Sequence, residues 1–163
     1  MSDPIKQLMK DMLDVKRRLA RLEANDSFDV EEWTAWTPEL FGTTVAGTLT
    51  YGAAQNAFYM RIDDMVFIYG RVVVDTIVVA PTGNLRMRTL PFDTPVSAIN
   101  PPLLFQTNAD LSAGYSHLIG NFPQGGTDII LTQAGDNVLQ NYPAANLAAG
   151  DTFRFSGFYR ALL

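Results

Sequence analysis

Between Pro4 and Asn25 the apolar residues Ile5, Leu8, Met12, Val15, Leu19 and Leu22 follow one another at alternating intervals of three and four. That is the 3.5-residue period of a coiled-coil seam. With Ile5, Met12 and Leu19 at a and Leu8, Val15 and Leu22 at d, the g-to-next-e pairs are Asp11 with Lys16 and Arg18 with Glu23. Both are opposite in sign, as parallel chains in register require. Asp3 is placed to cap the first free amides, and Pro4 takes the first helical position, where its missing N–H and fixed φ cost nothing. A helix over this span, about 33 Å long at about 1.5 Å per residue, has nothing of its own to bury the seam against. A helix packed on its own domain is the alternative, but the unbroken 3.5 period favours self-association.

Within this helix, Arg18-Leu19-Ala20-Arg21-Leu22-Glu23 resembles the short trimerisation motif of parallel coiled coils. The resemblance implies an Arg lying across the seam to the Glu of the next helix in a three-stranded core. The a and d identities alone do not choose an oligomer state. The expected trimerisation set is therefore Ile5, Leu8, Met12, Val15, Arg18, Leu19, Leu22 and Glu23. Two apolar residues lie off the seam, Met9 at e and Leu13 at b, neighbours on one face among Lys6, Lys10 and Lys16. Because the helix is expected to begin at about residue 4, with no anchoring segment before it, Met9 and Leu13 are the candidate docking patch for an acidic or mixed protein surface.

Beyond the helix the character of the chain changes. Residues 26–32 carry Asp26, Asp29, Glu31 and Glu32 and break the heptad without Gly or Pro, which reads as a short, stiff linker. Its carboxylates lack the spacing of a calcium loop and fit a solvated face. Six Lys/Arg and four Asp/Glu fall within residues 1–25, leaving six basic against thirteen acidic residues in the remainder. An acidic body with every lysine in the first sixteen positions argues against nucleic acid as its partner. With 47% hydrophobic and 18% charged residues the chain belongs among globular rather than disordered sequences. There is no cysteine, hence no disulfide framework. No stretch approaches the length of a membrane span and no signal-peptide core is visible, so membrane insertion is not expected.

From Trp33 short apolar runs alternate with Gly, Pro, Asn and Asp, an all-β pattern. The runs Ala57–Ile62 and Met65–Val74, separated by Asp63-Asp64, read as a β-hairpin. Further strands are predicted at Thr43–Thr50, Ile77–Val79, Leu85–Leu90, Leu103–Thr107, Tyr115–Ile119, Asp128–Thr132, Asn137–Leu139 and Thr152–Ala161. In the last, Phe153, Phe155, Gly157, Tyr159 and Ala161 share one face and Thr152, Arg154, Ser156, Phe158 and Arg160 the other. A strand this apolar on both faces belongs inside a sheet or at a subunit interface. The predicted organisation is a coiled-coil stalk at 1–25, a linker at 26–32 and an antiparallel β-sandwich knob, jelly-roll-like, at 33–163.

Several fragments carry a resemblance. Trp36-Thr37-Pro38, Gly47-Thr48-Leu49-Thr50, the run from Tyr59 to Val72, Leu90-Pro91-Phe92, and the run from Gly150 to Arg160 resemble the C-terminal knob domains of tailed-phage fibre and minor structural proteins, whether head fibre, decoration protein or tail fibre. The family usually has Gly where this chain has Asp63. The resemblance implies a homotrimeric β-sandwich head on a virion assembled in the host cytoplasm. Its implied partners are further copies of the chain, a capsid or tail protein and, for a tail-fibre module, a host-surface glycan. It brings no catalytic motif.

The residues themselves are equally bare of chemistry. His117 is the single histidine, which makes a multi-histidine metal site or a Ser-His-Asp triad hard to build. Asp63 and Asp64 are either a carboxylate pair or a tight turn; adjacent strand-end residues point apart, which favours the turn. Gly42, Gly47, Gly52 and Gly125-Gly126 precede no helix and read as turn and bulge residues. Trp33, Trp36, Tyr51, Phe58, Tyr59, Tyr115 and Tyr142 are either core and interface aromatics or sugar-stacking surfaces. No cofactor or metal is expected, and the chain is expected not to be an enzyme.

Overall fold

The computed structural model describes residues 12, 13, 15–18, 32–96, 101–136 and 138–162. The chain forms two compact units, Met1–Val30 and Glu31–Leu163. In the first, residues 12, 13 and 15–18 are helical. Met12 and Val15, both seam positions, are 56% and 63% exposed, and Leu13 is 55% exposed. Ile5, Leu8, Met9, Leu19, Leu22, Glu23 and the linker through residue 31 lie outside the described residues.

The second unit is built of antiparallel strands: β1 (Thr34–Trp36), β2 (Glu39–Gly42), β3 (Thr48–Tyr51), β4 (Asn56–Ile62), β5 (Met65–Val79), β6 (Leu85–Arg88), β7 (Leu103–Thr107), β8 (Tyr115–Asn121), β9 (Ile129–Gly135), β10 (Val138–Asn141) and β11 (Thr152–Arg160). Their hydrogen-bonded order is β1-β4-β5-β11-β7-β8-β9-β6-β2, with β10 added on β9 and β3 on β5. The end strands of this path, β1 and β2, are separated in sequence only by Thr37 and Pro38. The sheet must therefore curl until its two ends meet. Side chains fasten the join: the Trp36 indole N–H donates to the Thr89 carbonyl, and the Thr89 hydroxyl donates to the Thr37 carbonyl at 2.7 Å. Thr89 accepts a positive φ of 71° to do so, a costly geometry for a β-branched residue. The pairing thus draws one curled sheet, where a jelly roll would show two facing ones.

The concave face holds the core. β11 alternates strictly, with Phe153, Phe155 and Tyr159 buried and Arg154, Ser156, Phe158 and Arg160 exposed. It sits centrally, between β5 and β7. Val66, Ile68, Val72 and Val74 point inward from β5, and Leu85, Met87, Leu118, Ile129 and Leu131 from the far wall. Trp36 meets Phe155 edge-on, with ring centroids 5.7 Å apart. Gly70 is required because a Cβ there would stand 2.4 Å from the Cβ of Ala57 on β4.

The predicted hairpin turn is present, and Asp63 takes φ 53°, the left-handed conformation that Asp tolerates better than most. Other boundaries moved. The separate strands expected at 65–74 and 77–79 are one strand, β5, whose far end pairs with β3 through two register shifts. The expected strand Thr43–Thr50 begins only at Thr48, because residues 42–46 form a tight loop closed by Gly42 N–H to Ala46 carbonyl at 3.1 Å. β1 and β2 flank Pro38 and escaped the alternation criterion through their shortness.

Candidate functional site

The convex face of the same sheet is where a partner can act. On it β4, β5 and β11 place residues of the second alternation phase side by side: Phe58 opposite Tyr69, Met60 opposite Phe67, and Ile62 opposite Met65. Phe67 is in turn opposite Phe158, and Tyr69 opposite Ser156. Trp33, just ahead of β1, meets Tyr69 edge-on at 4.8 Å, and Phe58 stacks on the Tyr69 ring at 5.4 Å. Phe67 and Phe158 lie 5.9 Å apart. Trp33, Tyr69, Phe158 and Leu104 remain 47%, 43%, 40% and 70% exposed. Four such large apolar side chains on one face, together with the half-buried Phe58, Met60, Met65 and Phe67, make a contiguous patch of the kind that marks a protein contact.

The patch has polar ends. At one, Arg160 Nε donates to the Asp64 carboxylate at 2.8 Å, beside the hairpin turn. At the other, Arg71 and Arg154 stand directly opposite each other across β5 and β11. Trp33 and Phe58 are the two members of the predicted aromatic set that reach this face. Trp36, Tyr59 and Tyr142 turn inward, Tyr59 against Phe92 and Tyr142 fully buried. Tyr51 closes on β2, accepting from the Leu40 N–H at 2.7 Å, and the Tyr115 hydroxyl donates to Gln140 Oε1 at 2.8 Å. Phe67, Tyr69, Leu104 and Phe158 complete the patch without having been singled out. Their signal was present in strands apolar on both phases.

The residues considered for catalysis are apart from one another and otherwise employed. Asp63 is a turn residue and Asp64 an ion-pair partner. His117 lies exposed on β8, its Nδ1 3.0 Å from Ser116 Oγ. Among the described residues no group of three or more His, Asp or Glu is placed to hold a metal ion. No helix among them is long and apolar enough to cross a membrane.

Burial pushes the phenols of Tyr142 and Tyr159 well above the ordinary tyrosine range. Each hydroxyl is a structural donor, to the Asp110 carbonyl at 3.0 Å and to the Phe92 carbonyl at 3.2 Å respectively. Burial likewise raises the Asp151 carboxyl, against the opposing effect of the Ala148 N–H that it accepts.

No protein-family model and no curated protein sequence matches the chain. Among solved structures, the fold is similar to part of the crystal structure of Dettilon tailspike protein (gp208), with a TM-score of 0.63 and 18% identity over 79% of this chain. The similar region is 23% of that chain's length. At this identity the likeness is one of fold.

Proposed function

We propose that the chain is a non-enzymatic structural protein of a tailed-phage virion, tail-associated and homotrimeric, in which a parallel three-stranded coiled coil at residues 1–25 carries a β-knob. The observation that carries the reading is the exposed convex patch of Trp33, Tyr69, Phe158 and Leu104. It is a large apolar surface on β4, β5, β7 and β11 of the kind that marks a protein contact, and a second copy of the chain is the partner proposed for it. The exposure of Met12 and Val15 on a single helix points the same way, since a seam of that period is stable only when covered. A similar fold inside a tailspike supports the virion assignment. Leu13, exposed and off the seam, serves with Met9 to dock the stalk on a neighbouring virion protein.

Antibody labelling of intact particles under the electron microscope tests this reading. Label at the tail is expected; label on the capsid shell would make the chain a decoration protein, and particles without label would remove the virion role. Leu13→Lys with Met9→Lys should leave the oligomer intact and abolish incorporation, measured as copies per particle. Glycosidase, esterase and protease substrates should all remain unturned over.

A further inference from the structure

Across the convex face, β4, β5, β11 and β7 each contribute one polar residue to a single row. Asn56 is opposite Arg71, Arg71 opposite Arg154, and Arg154 opposite Gln106. Residues paired in this way point to the same side of a sheet, with neighbouring Cβ atoms about 5 Å apart. The row ends at Gln106, because β7 pairs with β8 only through Leu103 opposite Gly120 and Leu104 opposite Ile119, and past Leu104 the sheet opens. Arg154 and Gln106, with Asn108 and Thr152, line a depression of about 270 Å³. The same two residues line a second of about 240 Å³ with Ser156.

The placement of charge in this row is unusual. Beyond residue 25 the chain carries six arginines and no lysine, and four of the six are matched within it. Arg86, Arg88 and Arg160 are ion-paired with Asp128, Glu39 and Asp64, and Arg61 lies over the Phe92 ring at 4.8 Å. The two that remain, Arg71 and Arg154, are the two set directly opposite each other, a like-charge pairing that costs stability. Among the described residues neither has a carboxylate within ion-pair distance, although the body holds thirteen acidic residues. Arg71 Nε donates to the Ala54 carbonyl at 2.9 Å, which steadies the side chain and leaves its Nη groups uncommitted among those residues. Two fixed cations side by side are satisfied by one ligand with two negative charges and oxygens enough for both planar donor forks. A tetrahedral oxyanion has that charge and shape, since a phosphate group carries close to two charges near pH 7, whereas a carboxylate balances only one guanidinium. The acidic body disfavours a dense polyanion, so the fit is to a small ion or a single phosphate group.

We infer that Arg71 and Arg154 together bind a divalent tetrahedral oxyanion, as inorganic phosphate, sulfate or the phosphate of a monoester, with the Gln106 carboxamide as a neutral donor beside them. The inference goes beyond the structural role and stands whether or not the chain forms a trimer. Amide and side-chain NMR of the full chain tests it, in titrations at constant ionic strength with inorganic phosphate, sulfate, phosphorylethanolamine and, as the monovalent control, acetate. At least one divalent ion should shift Arg71, Arg154 and Gln106 saturably, with acetate at least about tenfold weaker, as expected for loss of charge-assisted hydrogen bonds. Phosphorylethanolamine binding at least as tightly as the inorganic ions assigns the site to a phosphate carried on another molecule; binding of the inorganic ions alone assigns it to the free ion. Arg71→Gln and Arg154→Gln should each weaken binding by about tenfold or more. Arg154→Gln, at an exposed position, should do so with thermal unfolding in chloride and native mass unchanged, and Arg88→Gln, on β6, should bind as the parent does. The inference fails if no divalent ion gives a saturable shift by about 50 mM, well above a millimolar dissociation constant. It also fails if acetate binds as tightly as the divalent ions, or if either Arg71→Gln or Arg154→Gln binds as well as the parent. Equal weakening by Arg88→Gln would likewise overturn it, since that is general charge screening and no site.

Discussion

The exposed face of β11 has two halves that differ in almost everything but backbone. Phe158 lies in an aromatic patch with Phe67, Tyr69, Phe58 and Trp33; Arg154, two turns of the alternation away, stands by Arg71 and Gln106. Both residues occupy the same phase of one strand, and both point away from the core. What separates them is the neighbouring strand. Beside Phe158, β5 and β4 supply unbroken ladders and flat apolar surface, suited to a second protein surface. Beside Arg154, β5 and β7 place Arg71 and Gln106 directly opposite it, a polar surface. One strand thus presents two different surfaces according to what its neighbours place opposite it.

The largest expected effect removes the wall common to both halves. Phe155 is 4% exposed and carries Trp36 and Phe105 on its ring; Phe155→Ala should cost about 3–5 kcal/mol, read as a lowered urea midpoint, and abolish both behaviours together. Next is the patch alone. Tyr69→Asp with Phe158→Asp places charge in a desolvated contact, and at about 2 kcal/mol or more for each such anchor the subunit dissociation constant should rise at least about a hundredfold in light scattering of a dilution series. Arg154→Gln should leave that constant unmoved. Equal effects from the two changes would erase the distinction between the halves.

The smallest effect concerns a loop that borders the polar half. Burial raises the Asp151 carboxyl above its unfolded value, so its ionisation disfavours the folded state: its contribution to stability is full below the unfolded pKa of about 3.8 and is lost as pH rises through the folded value. Asp151→Asn keeps an acceptor for the Ala148 N–H and should unfold at a higher temperature than the parent at pH 7. The difference should vanish below about pH 4. A variant less stable than the parent at neutral pH would show that the ionised carboxylate is needed there.

Much of this architecture was legible in the residues. The hairpin at Asp63-Asp64 and the terminal strand, read as Thr152–Ala161 and formed as Thr152–Arg160, are regular alternations that no helix fits. The phase of β5 was harder: Val66, Ile68 and Val72 compete with Phe67, Tyr69 and Val73 for the core, and the set that turns inward is the one that includes Gly70, whose backbone closely approaches Ala57. For that reason the aromatic patch was visible as excess hydrophobicity but not as a surface. The opening between β7 and β8 had no local signal, because the length of a ladder is decided by the strands on either side. The curling of the sheet was hidden in Thr37 and Pro38, a two-residue link that reads as an ordinary corner until β1 and β2 are found at opposite ends of the strand order. The seam of residues 5–22 remains a sequence reading, apart from the helical Met12, Leu13, Val15 and Arg18.

Native mass spectrometry of the full chain at micromolar concentration is the most direct test of the assembly on which the function proposed for this protein rests. Three copies of the 18.0 kDa chain, reduced to smaller species by Tyr69→Asp with Phe158→Asp, is the expected result. A parent chain that flies as a single 18.0 kDa species would contradict it.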